Sequence, residues 1–381
     1  MMNTTATLLR ELVRIPSVNP MGRLLTGPEY LETRLTEFLC GYLTQLGLTV
    51  ERQAVCPGRE NVIARWEPPH PARTLLFEVH QDTVPVDGMT VDPFGGDVRA
   101  GRLYGRGACD VKGGMAAMLI AVERLVRQSP ANSARVILAC TVDEEHTFLG
   151  AQQLARTVRA DGAIVAEPTR LKIVHAHKGV VRWHLSTRGV SCHSSRPEQG
   201  VNAIYRMGRL LPIIEKYAES LRSSIPDPLL GPPTLSVGRI EGGLSVNSVP
   251  DFCRVEIDRR LVPGEQPIEA VRHFQEHLQR HAGVQTPFEC SPPWLHCPAL
   301  PSQQGTAIAQ ALENAIISVC GRCDYEAVPY GTDASTLAAA GIPAVIFGPG
   351  DIAQAHTCDE WIELDQVETA AEILYCLATQ V

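Results

Sequence analysis

The 381-residue chain carries no surplus of positive charge: 34 Lys and Arg stand against 42 Asp and Glu, for a formal net charge of −8 and a pI near 5.9. No Lys/Arg run appears either, which argues against a nucleic-acid binder, since such proteins usually show a basic stripe or surplus. No apolar run reaches the ~18 residues needed to span a bilayer. The opening stretch MMNTTATLLRELVRIPSVNP lacks the basic segment and long apolar segment of an export signal, and reads as a short amphipathic helix ended by Pro16. The expectation is a cytoplasmic protein with no membrane and no nucleic-acid partner. Twelve cysteines are scattered without an export signal, several of them (Cys40, Cys140, Cys376) inside apolar segments, so buried reduced thiols are expected rather than disulfides. Cys320 and Cys323 form a single C-x-x-C with no second pair at a matching spacing, so the pair reads as structural. The glycine-rich GRGACDVKGG lacks the Lys-Ser/Thr ending of a P-loop and the spacing of a dinucleotide fingerprint. No internal repeat or low-complexity tract is visible.

What is present is an ordinary globular composition, 44% hydrophobic and 20% charged, in a chain long enough for two domains. A helix over Tyr30 to Leu46 leads to strands Thr49 to Gln53 and Asn61 to Arg65. The continuous apolar runs Thr74 to Val79, Arg135 to Val142 and Asp161 to Ala166 predict strands buried on both faces, with a helix over Gly113 to Gln128 between the first two. Alternation of this kind predicts an α/β fold, a mostly parallel sheet sandwiched by helices. Beyond His177-Lys178-Gly179 the texture changes to strand Val181 to Thr187, helix Val201 to Arg222, strands Thr234 to Ile240 and Asp251 to Arg260, helix Ile268 to His281 and strand Gln285 to Cys290. That β-α-β-β-α-β order is ferredoxin-like. After Ser291-Pro292-Pro293, helix Gly305 to Cys320, strand Ala344 to Phe347 and helix Leu364 to Ala378 restore the α/β texture. A small α+β domain over 180–290 is therefore expected as an insertion between two parts of a larger domain, 1–179 and 291–381.

In open parallel sheets, ligands bind outside the carboxyl ends of the strands. The polar residues that follow the predicted core strands are His80 and Asp82 in VHQD, Asp143-Glu144-Glu145 after RVILACTV, Glu167 in AIVAEPT and His356 in FGPGDIAQAHTCDE, with Asp110 in GRGACD beside them. Carboxylates collected at one rim repel unless their protonation shifts or a cation sits among them. Imidazole with carboxylate oxygen, and no thiolate, suits zinc in a hydrolytic site, or cobalt or manganese. A carboxylate two residues beyond His80 is placed to take the far ring nitrogen and fix the tautomer of a ligating histidine, which predicts that role for Asp82. His80 taken alone is more often a structural histidine, and Asp82 alone a turn former; the joint pattern is what weighs against that. His175 and His177 alternate along a strand but read as part of the connection into the small domain, and His146 matches no ligand position.

The segments VHQDTVP, GRGACDVKGG, TVDEEHTFLGA, AEPT, GVSCHSSRPEQGVNAI, NSVPD, IDRRLVPGE and AHTCDEW occur in one order from about Leu9 to Leu377. In that order they resemble the co-catalytic di-zinc amidohydrolases and exopeptidases that include acetylornithine deacetylase, succinyl-diaminopimelate desuccinylase, aminoacylase and glutamate carboxypeptidase. The resemblance implies a zinc-exopeptidase-like fold with a lid and dimerisation domain, and two Zn²⁺ ions about 3.5 to 4 Å apart, replaceable by Co²⁺ or Mn²⁺. It implies that Asp110 bridges the ions, that His80 and Glu167 complete one and Glu145 and His356 the other, and that Glu144 is the general base. It also implies a cis peptide bond after Asp110. His193 matches a histidine that reaches the partner subunit's active site to stabilise an oxyanion, which requires a homodimer. Arg260 and Asn247 match positions that grip the substrate's carboxylate, with Arg259 the adjacent alternative, and Gly331 and Thr332 match positions that line the same pocket.

The activity so implied is hydrolysis of the amide of an N-acyl amino acid, in the manner of acetylornithine deacetylase. The alternatives are a dipeptidase or carboxypeptidase using the same metals, and an inactive relative acting as a binding scaffold. The last predicts loss of a ligand or of the base, and the sequence retains all of them.

Overall fold

A computed structural model describes residues 5–283 and 286–380. The chain divides into two compact units, Met1–Ala176 with Ser302–Ala327 and Thr332–Val381, and His177–Pro301 with Val328–Gly331.

The larger unit is built on an eight-stranded sheet in the order Thr49–Cys56, Arg59–Trp66, Arg135–Thr141, Thr74–His80, Gly162–Val165, Ala344–Ile346, Ile173–His177, Tyr325–Val328. Its parallel character belongs to the four central strands, Arg135–Thr141 through Ala344–Ile346. The first strands are antiparallel because only Pro57-Gly58 joins Thr49–Cys56 to Arg59–Trp66, and so short a connection closes only a hairpin. Thr74–His80 is buried from Leu75 onward, as a strand covered on both faces must be. Helices Gly113–Gln128, Ala307–Cys320 and Leu364–Thr379 share one core with the sheet, in which Phe77, Met115, Leu119, Leu312 and Leu374 are all buried. Each such large side chain contributes roughly 1.5–3 kcal/mol by leaving water. The N-terminal amphipathic helix is Thr5–Val13, with Leu8, Leu9, Leu12 and Val13 turned into that core.

The smaller unit runs Gly179–Arg188, helix Ala203–Arg222, Thr234–Gly242, Phe252–Leu261, helix Pro267–His281 and Glu289–Cys290, the expected β-α-β-β-α-β order. Its strands pair antiparallel, and burial alternates residue by residue along Phe252–Leu261, so one face of the sheet is covered. Trp183 meets Phe274 edge to face with centroids 5.1 Å apart in the core beneath. The predicted strand Gln285 to Cys290 is seen as Glu289–Cys290, and Gln285 lies outside the described residues.

Several short elements carry no period that a sequence reading detects. The alternating histidines do lie on a strand, Ile173–His177, whereas the undetected elements include a three-stranded sheet of Asp97–Arg99, Arg102–Tyr104 and Trp361–Glu363. The last of these matters for the site, because it fastens the chain just after His356 to the chain just before Asp110.

Candidate metal centre

Parallel register brings the site residues together. His80 ends its strand opposite Thr141, so the turn Asp143-Glu144-Glu145 leaves the sheet beside it. Glu78 pairs with Val165, which places Glu167 just beyond the next strand end, and Ile346 pairs with Val165 on the far side, where the chain leads on to His356. Asp110 arrives from outside the sheet, in the irregular turn Ala108–Lys112, and the Asp110–Val111 peptide bond is cis.

Asp110 divides its two carboxylate oxygens: Oδ1 lies 3.1 Å from His80 Nε2 and Oδ2 lies 3.3 Å from His356 Nε2. His356 Nε2 is also 3.2 Å from Glu145 Oε2. Ligand atoms of His80, Asp110 and Glu145 fall within 4.8 Å of one another, and so do those of His80, Glu144 and Glu167. All five residues expected as metal ligands, and the expected base, thus occupy one cluster. Asp143 and His356 hold left-handed backbone at φ +69° and +62°, a conformation that costs a side-chain-bearing residue on the order of 1 kcal/mol or more and collects at functional sites.

The protonation balance shows what this crowding demands. Burial raises Glu144 and Glu167 well above the usual carboxylate range, and neighbouring carboxylates add to it. Burial and Asp110 push Glu145 up to about 7. Burial opposes charging of His80, yet Asp110, Glu144 and Glu167 together raise it well above its ordinary value. Hydrogen bonds to Asp110 and Glu145 raise His356 to about 11. Asp110 is lowered despite its burial, because it faces both histidines. Protons here stand in for positive charge that the cluster needs. Glu145 Oε1 is buried without a hydrogen-bond partner, an acceptor that a bound cation would satisfy. The donor set, imidazole and carboxylate without thiolate, fits zinc, cobalt or manganese; Cys109 is adjacent in sequence but its Sγ donates to the Asp351 carbonyl, 3.3 Å away.

Asp82 corrects one expectation. Its carboxylate stands 3.8 Å from His80 Nδ1, and the histidine instead donates to the Asp82 backbone carbonyl at 2.9 Å. That bond still points Nε2, the nitrogen a cation would take, toward Asp110. The carboxylate has other work: it accepts the Glu144 and Glu145 backbone N–H groups at 3.1 and 3.2 Å and the Asn19 amide at 2.8 Å. The physical reason is supply of donors, since the two N–H groups of the sharp turn after Asp143 would otherwise be buried without partners.

Three supporting residues escape the sequence reading. Asn19 ties Asp82 to Asp143 through one amide group. Arg59, itself buried, bonds Glu32 and Asp143 and stands 3.9 Å from Asp82. Glu360 accepts from the Asp110 turn. Only Glu360 had a local signal, its place four residues after His356.

The remaining predicted residues lie mostly in the smaller unit. His193 is exposed, with Nδ1 2.7 Å from Ser195 Oγ, and Asn247 is exposed and accepts from Ser245 Oγ. Arg259 is buried and committed to Glu265 at 2.6 Å, whereas Arg260 is half-buried and held by Asp258 through Nε at 2.8 Å and Nη2 at 3.3 Å. Of the two arginines, Arg260 is the more exposed. Gly331 also belongs to this unit and is half-buried, while buried Thr332 belongs to the larger one, where its hydroxyl caps Ala334 N–H.

The sequence and fold have relatives. The chain is 34% identical over 305 residues to an acetylornithine deacetylase of Myxococcus xanthus, covering 79% of this chain and 78% of that protein. It is 32% identical over 375 residues to an acetylornithine deacetylase of Edwardsiella ictaluri, covering 96% of this chain and 95% of the relative. Its fold superposes on that of an M20 family metallo-carboxypeptidase from Sulfolobus solfataricus with a TM-score of 0.78, at 21% identity over 99% of each chain. The model of Peptidase family M20/M25/M40 matches residues 76–380. By its fold, by the residues gathered at the strand ends and by that match, this chain belongs to Peptidase family M20/M25/M40, a family of hydrolases.

Proposed function

We propose that this protein hydrolyses the amide bond of an N-acyl amino acid, with acetylornithine-like compounds the leading substrate class, at a centre of two divalent cations. The observation that carries the reading is the division of Asp110, whose Oδ1 faces His80 and Oδ2 faces His356; a carboxylate so placed could serve two cations at once. His80 and Glu167 would hold one ion and Glu145 and His356 the other, zinc by preference, with cobalt or manganese able to substitute. When bound, such a pair supplies Lewis acidity and lowers the pKa of water.

The protein's own residues do the rest. Glu144, acting as the carboxylate with its proton affinity raised by burial, takes a proton from the attacking water and passes it to the leaving amine. Asp82 holds the backbone of Glu144 and Glu145 so that the adjacent side chains divide base and ligand duties. Arg260 offers a planar fork to the substrate's free carboxylate, with its guanidinium already oriented by Asp258 and Asn247 assisting; Gly331 and Thr332 are further substrate-contact residues in this reading. His193 stabilises the oxyanion in the opposite member of a homodimer joined through the small unit, a contribution worth a few kcal/mol. The chain contains no helix long and apolar enough to cross a membrane among its described residues, and we place the activity in the cytoplasm.

The test is a screen of N-acetylornithine, other N-acyl amino acids and a dipeptide panel on the zinc-reconstituted protein, with Glu144→Gln as the blank. Highest kcat/KM on an N-acyl amino acid supports the reading. Preference for dipeptides makes the protein a peptidase of the same family, and no turnover with no bound metal makes it a scaffold.

A further inference from the structure

We infer that Glu360 is a positioning residue that locks the turn carrying Asp110 to the loop carrying His356, so that the cation site made of Asp110, Glu145 and His356 is assembled in advance of the ion. The inference rests on the dinuclear reading above.

Glu360 is fully buried. Its Oε2 accepts from Arg106 Nη1 at 2.7 Å and Gly107 N–H at 3.0 Å, and its Oε1 from Cys109 N–H at 2.8 Å and Asp110 N–H at 3.0 Å. Three successive-turn N–H groups converging on one carboxylate form an anion nest. The nest requires Gly107: its φ is +80°, and a Cβ there would come within 2.6 Å of Thr83 Cγ2. The Asp110 N–H is thus held by the same carboxylate that the His356 loop supplies, although the two segments are 250 residues apart. The connection continues on both sides, since Gly105 N–H donates to the Glu360 carbonyl at 3.0 Å and strand Trp361–Glu363 pairs with Arg102–Tyr104.

An ordinary buried ion pair between Arg106 and Glu360 would explain one of the four bonds. It leaves unexplained why the other three are spent on the turn that presents Asp110. Charge-assisted bonds to backbone N–H are the stronger kind. An amide at position 360 keeps the shape but turns an NH₂ group toward two of these donors, so half of the cradle is lost.

The experiment measures zinc stoichiometry and stepwise affinity by competition with a chromophoric chelator, for the wild type, Glu360→Gln and Arg106→Gln, together with the thermal unfolding midpoint of each metal-free protein. The expected result is two ions in the wild type and, in Glu360→Gln, one of the two weakened about 10–100-fold, the range for loss of a partner that orients a ligand. Arg106→Gln, which keeps the three backbone donors, weakens the same ion less and carries the test if Glu360→Gln does not fold. Wild-type affinity for both ions in the variants overturns the inference, even if the unfolding midpoint falls, because that is what a purely structural role gives. Failure of the wild type to bind two ions overturns the dinuclear reading, and this inference with it.

Discussion

Asp82 and Glu144 are joined side chain to backbone: an oxygen of the Asp82 carboxylate accepts the Glu144 N–H at 3.1 Å, while the other accepts the neighbouring Glu145 N–H at 3.2 Å. One carboxylate therefore holds the backbone of both the proposed base and a proposed cation ligand. Asp82→Asn turns a donor toward one of those N–H groups. We expect kcat to fall about 10–100-fold with little change in KM, as measured by steady-state kinetics on the preferred N-acyl amino acid; an unchanged kcat would show that the turn holds itself.

Glu144→Gln keeps the size of the side chain and removes its ability to take a proton. A kcat lower by about 10²–10⁴-fold is expected, the usual contribution of general acid–base catalysis. Metal analysis should still find both ions. Loss of an ion in this variant would move Glu144 from base to ligand, a possibility the proximity of its oxygens to His80 and Glu167 makes worth measuring.

Arg59 is the buried cation that Glu32 and Asp143 bond and Asp82 approaches. Arg59→Leu leaves those carboxylates uncompensated in the interior. The cost is expected at about 3–5 kcal/mol, the range for breaking a buried pair by removing one partner, read from urea unfolding. A loss under 1 kcal/mol would mean that water reaches the network.

Cation binding must displace protons. In the metal-free protein His356 is raised to about 11 by Asp110 and Glu145, and Glu145 itself to about 7 by burial and Asp110. Affinity for zinc should therefore rise with pH, most steeply below about 7, where Glu145 as well as His356 must lose a proton, and calorimetry in buffers of different ionisation enthalpy should record proton release on binding. Binding without proton release would contradict the charge balance described here.

His177 gives a pH dependence separate from the metal centre. Burial lowers it from 6.5 to about 4, so between those values the unfolded chain binds a proton that the folded chain refuses. The sign follows: stability is full above pH 6.5 and declines as pH falls toward 4. At about 1.4 kcal/mol per unit the loss is on the order of 3 kcal/mol. Chemical denaturation of His177→Gln and wild type across that window should show a shallower decline in the variant, and parallel curves would place the titration elsewhere.

Residues whose significance lies in chemical type and position after an apolar run were legible without coordinates: His80, Glu144, Glu145, Glu167 and His356 each follow a buried strand, and Asp110 stands in a glycine-rich turn. Residues that act through a single hydrogen bond across the chain were not. Asn19 lies outside every helix and strand and Arg59 opens the strand Arg59–Trp66 instead of following one, and the polar atom that serves His80 proved to be the Asp82 carbonyl rather than its carboxylate. Every residue has a carbonyl, so no pattern of side chains announces which one is used.

The sequence by itself determined the inventory: the hydrophobic periods of two kinds of domain, and a set of imidazoles and carboxylates able to take a divalent cation. These are local or compositional properties, decided by side-chain chemistry within a few residues. Only the tertiary structure decided the partners. Asp110 faces His356 and hangs from Glu360 because strands distant in sequence pair and bring those segments within hydrogen-bond reach, and a bond that depends on atomic separation is settled by packing and not by order along the chain.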